Sequence, residues 1–299
     1  MGKTVNGEST EGIGFSVLLR KGLFRGHWKA SLLIPVLFFF LHSQSYAGSM
    51  VHVAVSLPPQ AYFVRQIGGQ RVTLQVLLPP GANPATYAPK PGELASLLKA
   101  DIYFRIHVPF EDAWMKRFRA VNRKMLVIDT TEGIEKIGKD PHVWLSPALV
   151  KHQARQIAKG LSQVDPAGKR DYMANLDRFN RSIDKLTRTI EKRLRSFKGR
   201  TLLVYHPCWG YFAREFGLKQ VAIEHEGKPP GAALLAKVIR VAQRDRIHCI
   251  FAQPQFDSRS AQIIARQIHG RVVLIDPMAE DWAKNLLRVT DKIVDCLGR

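Results

Sequence analysis

From Pro166 to Phe197 the apolar residues fall at Tyr172, Leu176, Phe179, Ile183, Leu186, Ile190, Leu194 and Phe197, with spacings of 4, 3, 4, 3, 4, 4 and 3. That spacing follows one face of an α-helix. Asp165-Pro166 offers a cap and a first-turn proline at its start, and Gly199 a stop at its end. At 1.5 Å per residue such a helix spans roughly 45–50 Å, longer than a crossover within one sheet needs. A stripe of that length has two uses. It can be the seam of a coiled-coil dimer, or a spine between two halves of one molecule.

The flanking sequence favours the spine. Short apolar runs at 51–56, 71–78, 101–106 and 125–129 precede it, and runs at 201–206, 219–223, 247–252 and 271–276 follow it. Segments of helical pattern lie between them, such as 92–100 and 260–270. Strands alternating with helices give parallel sheets with helical crossovers. The expected fold class is α/β: two lobes, each a four-stranded parallel sheet flanked by helices, joined by one long rigid helix. The lobes are expected at 48–165 and 198–299, with the linking helix at 166–197.

Residues 1–47 read as an export signal and not as part of the fold. Arg20, Lys21, Arg25 and Lys29 precede the apolar run Ala30–Leu41, and Ser45-Tyr46-Ala47 is a small-x-small cleavage site. The run is too short for the roughly 20 apolar residues of a membrane span. Cleavage near Ala47 would leave 252 of the 299 residues. The whole chain carries 45 Lys plus Arg against 25 Asp plus Glu, a net charge of +20. Removing the five basic and two acidic residues of the first 47 leaves +17, so the basicity belongs to the exported part. A hydrophobic content of 45% with 23% charged residues is ordinary for a globular chain and argues against bulk disorder. The charge alone invites a nucleic-acid or adhesive surface, but Trp144, Trp209 and Trp282 are not interleaved with basic residues as a base-stacking surface requires.

In an open parallel sheet, ligands bind beyond the carboxyl ends of the strands. His206 ends the run TLLVYH, Asp276 ends RVVLID, and His142 lies in the loop Asp140-Pro141-His142 before a helix. Two imidazoles and a carboxylate suit zinc and its neighbours.

Several motifs resemble one family. They are VAVSLPPQAYFVRQIGG, LLPPGANPATYAP, VPFEDAW, DPHVWLSP, YHPCWGYFAREFGL, EGKPP, FAQPQF and IDPMAEDW, spread over residues 51–299. The resemblance is to the cluster A-I metal-binding solute receptors of bacterial ABC importers, the zinc and manganese uptake family. It implies two α/β lobes on a single long helix, with the metal in the cleft between them. The family's second, third and fourth ligands map onto His142, His206 and Asp276. His at the third place resembles the zinc-type members, since imidazole suits zinc and carboxylate the harder manganese. The resemblance also places Trp144, Trp209 and Trp282 in walls of the cleft or core.

The first ligand is where the chain departs. The family pattern Asp-Pro-His-x-Tyr-Glu-Pro is here Asn83-Pro84-Ala85-Thr86-Tyr87-Ala88-Pro89. Ala85 cannot ligate. His107, where many relatives have Gly, could replace it; water could take the fourth position; or tight binding could be lost. The segment 132–139 contains no His, so a His-rich collecting loop is absent. Glu111 reads as a charge at a helix start or a carboxylate at the cleft edge. By resemblance Cys249 and Cys296 form a disulfide, which an oxidising compartment permits. Cys208, two residues past His206, is either a buried residue or a soft fourth ligand.

The expected function is an exported periplasmic receptor and not an enzyme, one that captures Zn²⁺ and delivers it to the permease of an ABC importer. It is expected to act as a monomer without nucleic acid, and its charge favours the anionic membrane surface. An Mn²⁺, Fe²⁺ or altered-cargo receptor is the nearest alternative. A zinc hydrolase with an open three-ligand site is the rival from another class, although no His-Glu-x-x-His motif is present.

Overall fold

A computed structural model describes residues 50–224, 231–256 and 259–298. The predicted signal, His225 and the EGKPP motif lie outside the described residues. The first lobe runs β1 (Val51–Val55), α1 (Pro58–Gly68), β2 (Val72–Val76), α2 (Pro91–Ser96), β3 (Ile102–Arg105), α3 (Pro109–Val121), β4 (Leu126–Asp129) and α4 (Pro147–Val164). The long helix α5 (Lys169–Leu194) follows. The second lobe runs β5 (Thr201–Val204), α6 (Gly210–Phe216), β6 (Lys219–Ala222), α7 (Ala232–Arg244), β7 (Cys249–Ala252), α8 (Arg259–Gln267), β8 (Arg271–Leu274) and α9 (Trp282–Leu297).

The strands form two four-stranded sheets among the described residues, ordered β2-β1-β3-β4 and β6-β5-β7-β8. Every pairing is parallel. Each expected strand is present, trimmed by one to three residues. The central strands read as continuous apolar runs because helices cover both faces. All four residues of β5 and of β7 are buried. Gly160 lets α4 lie close on the first sheet, since a Cβ there would stand 2.8 Å from the Phe104 ring and 2.9 Å from Ile102.

The expected 166–197 helix is resolved into three parts. Asp165 caps a 3₁₀ turn at Pro166–Gly168 by accepting from the Gly168 N–H, α5 follows, and a second 3₁₀ turn covers Arg195–Phe197. Tyr172, Leu176, Phe179, Ile183, Leu186, Ile190 and Leu194 are all buried. They pack against α1, α4, α6 and α9, so the stripe is covered within the chain and is not free as a dimer seam. Phe179 meets Tyr62 and Phe63 at 6.0 and 6.2 Å between ring centroids, and Trp282 from α9 meets Phe63 edge-on at 5.2 Å. One buried apolar cluster therefore runs through both lobes and the spine. A second, smaller one lies beneath α7 and α8. Cys249 of β7 is bonded to Cys296 of α9.

Two tryptophans join the lobes by hydrogen bonds. Trp144, just before α4, donates from its indole to the Pro277 carbonyl at 2.8 Å, and Trp282 donates to the Trp144 carbonyl at 2.6 Å. Both rings are buried. From α6, Tyr211 donates to the Asp140 carbonyl at 3.0 Å, and Glu215 accepts from Ser146 and the Ala148 N–H at the start of α4.

Candidate metal centre

His206 stands two residues beyond β5, and Asp276 two residues beyond β8. His142 precedes a 3₁₀ turn, Val143–Leu145, which leads into α4. These positions put the first lobe's His142 against the second lobe's His206, with ring centroids 5.4 Å apart and edge to face. Both line a cavity of about 120 Å³ together with Ala85, Trp144, Gln255 and Phe256.

Each imidazole is oriented by a carboxylate. His142 Nδ1 lies 2.6 Å from Asp140 Oδ1, and the His142 backbone N–H donates to the same oxygen at 2.9 Å. His206 Nδ1 lies 3.3 Å from both oxygens of Glu224. Glu224 is buried and follows β6; its N–H donates to the Tyr205 carbonyl, which carries the ladder past the strand ends and brings the carboxylate beside the ring. An ionised carboxylate only accepts, so Nδ1 of each ring bears a proton, and in the neutral imidazole Nε2 is then the nitrogen with the lone pair. Carboxylate-bound histidines of this kind are the usual form of metal ligands. Burial, with His206 alongside, pulls the His142 imidazole below its ordinary value against the opposing pull of Asp140.

Asp276 does not line the cavity of the two imidazoles. It lines an adjoining cavity of about 340 Å³, and Gln255 and Met278 line both spaces. Its Oδ1 accepts from Gln255 Nε2 at 2.8 Å and from the Met278 N–H at 2.9 Å. Among the described residues no three His, Cys, Asp or Glu side chains form a ready metal cluster.

Ala85 faces the cavity of the two imidazoles, in the loop where the family's first ligand would stand. The loop keeps its frame without its donors. Asn83 Oδ1 accepts from the Ala85 N–H at 2.9 Å, and the Tyr87 hydroxyl lies 2.7 Å from the Leu77 carbonyl and 2.6 Å from Glu93.

His107 lines a neighbouring cavity, with Pro109 and Pro141 common to both. Its φ of 62° is in the left-handed region that favours Gly. Its Nε2 is 2.7 Å from Asp129 Oδ2, and its Nδ1 is 3.5 Å from Asp112. Two carboxylates thus face the two ring nitrogens. Cys208 is fully buried, and its Sγ accepts from Gln253 at 2.9 Å, so it packs beneath the loop; burial pushes its thiol up.

Sequence reasoning passed over Asp140 and Glu224 and underrated Glu111. Glu111, in the first turn of α3, is completely buried. It accepts from the Ser56 and Tyr103 hydroxyls and from the N–H groups of Ile106 and His107. It thereby fixes the loop whose Val108 and Pro109 line the imidazole cavity. Burial pushes its carboxyl up to about 7, opposed by those hydrogen bonds.

Two α/β lobes fixed on a long helix, with oriented imidazoles meeting between them, are the architecture of a metal-binding solute receptor. The chain belongs to the family described as zinc-uptake complex component A, periplasmic, which matches residues 53–296. It is 27% identical over 253 residues to the high-affinity zinc uptake system protein ZnuA of Bacillus subtilis (strain 168), covering 77% of this chain and 79% of that one. A crystal structure of ZnuA superposes with a TM-score of 0.81 at 40% identity, over 83% of this chain and 100% of that one. A zinc-bound ZnuA carrying a deletion of 138–173 gives 0.79 at 40% identity, over 83% and 98%.

Proposed function

We propose that this receptor, once exported and cleaved near Ala47, captures Zn²⁺ between its lobes and hands it to the membrane permease of an ABC importer. Nε2 of His142 and Nε2 of His206 are the first two donors, and a carboxylate oxygen of Asp276 is the third. The observation that carries this reading is the pair of imidazoles from opposite lobes, 5.4 Å apart, each with Nδ1 on a carboxylate. Two neutral imidazoles with one carboxylate favour zinc over the harder manganese. The zinc-bound ZnuA of the same fold supports the same cargo. Asp276 joins the set through Oδ2, while Oδ1 keeps the hydrogen bond from Gln255. The positive charge of residues 48–299 supports approach to the anionic membrane beside the permease.

The test is zinc titration calorimetry on metal-stripped protein. His206→Ala should lose more affinity than the about 10–100-fold that removal of an outer carboxylate costs. Asp140→Asn should fall within that range. Wild-type affinity in His206→Ala would refute the assignment.

A further inference from the structure

Two consecutive side chains after β7 reach the second lobe's proposed donors. Phe256 stacks on the His206 ring, with centroids 4.7 Å apart and planes 23° apart. Gln255 donates from Nε2 to Asp276 Oδ1 at 2.8 Å. Because the carboxylate accepts, that bond fixes the amide's orientation and turns Oε1 the other way. Oε1 is buried and has no donor among the described residues. A buried acceptor without a partner calls for an explanation in a native fold. Gln255 lines the cavity that holds both imidazoles and Ala85, and also the cavity that holds Asp276.

We infer that Gln255 is a positioning residue for an aquo-zinc cargo: Nε2 holds Asp276 for the ion, and Oε1 accepts a hydrogen bond from a water that stays on the ion where Ala85 supplies no ligand. The inference rests on the site reading given above. Zinc with three protein donors keeps a water in its fourth position. The ion polarises that water into a strong donor, which needs an acceptor in an otherwise apolar space. A neutral amide oxygen can take the hydrogen bond but is too weak a base to take the proton. The bound water therefore remains water, as befits a carrier with no reaction to perform.

The test compares zinc affinity, by chelator competition on metal-stripped protein, for Gln255→Met in two backgrounds, wild type and Ala85→His. Methionine keeps the length and removes both donor and acceptor. In the wild-type background we expect a loss of about 10–100-fold. Ala85→His alone should bind zinc more tightly, because an imidazole displaces the water. In that background the cost of Gln255→Met should shrink by about fivefold or more, leaving only the part due to Asp276. The visible spectrum of the Co²⁺-loaded protein should change on Ala85→His as an oxygen donor is exchanged for nitrogen. Equal costs in both backgrounds, no cost in wild type, no tightening by Ala85→His or an unchanged cobalt spectrum would each overturn the inference. His206→Ala, run in parallel, separates the two readings. If it retains wild-type affinity, the site itself is misassigned; if it loses affinity while Gln255→Met behaves alike in both backgrounds, only the water is wrong.

Discussion

At residue scale, the least expected group is Glu111. A carboxyl raised to about 7 in the folded state by burial, from an ordinary value near 4.5, binds its proton more tightly folded than unfolded. Its contribution is therefore fully present below about pH 4.5 and is lost as pH rises through 7, a change of roughly 3 kcal/mol. Glu111→Gln can turn its carbonyl to the Ile106 and His107 N–H groups and its amide to the Ser56 and Tyr103 hydroxyls. We expect this variant to gain about 3 kcal/mol on wild type between pH 5 and pH 8 in urea unfolding. Parallel pH profiles for the two proteins would show that Glu111 is not the titrating group. The residue was legible only as an acid at a helix start. Its burial depends on Ser56 and Tyr103, which are 55 and 8 positions away in sequence. The same limit applies to Glu224, whose role beside His206 appears only once β5 and β6 are paired. Asp140 had a local signal, two residues before His142, in a turn where the short side chain folds back on the backbone.

At the scale of elements, the sequence was a better guide. The eight apolar runs became strands because parallel strands covered on both faces need no polar alternation. The spacing from Tyr172 to Leu194 became the buried face of α5 because helical period and burial are one constraint. Loops obey no such period, which is why the positions of His107 and Asp276 in neighbouring cavities were not legible. Phe179 packs on Tyr62 and Phe63 of α1, which in turn meet the Trp282 ring of α9, and truncation leaves a cavity beneath them. Phe179→Ala should cost about 3–5 kcal/mol in chemical unfolding. The Cys249–Cys296 bond joins β7 to α9, and α9 in turn rests on α5. With its ends 47 positions apart in sequence, it should contribute about 4 kcal/mol by restricting the unfolded chain. A reductant should lower the urea midpoint of wild type and leave that of a Cys249→Ala/Cys296→Ala variant unchanged.

At the scale of the whole molecule, a strongly basic protein is built to hold a cation. The two facts coexist because exposed charges are screened beyond about 8–10 Å at physiological salt, while the carboxylates of Asp140 and Glu224 touch the imidazoles directly. The shared core and the reciprocal tryptophan bonds run from one lobe into the other along the wall of the cavity. A jaw riveted through its own lining cannot signal a load by how wide it gapes. Whatever distinguishes the full carrier from the empty one must then be written on its lip, in the few residues around Ala85, Gln255 and Phe256. A docking partner would read a local fingerprint there.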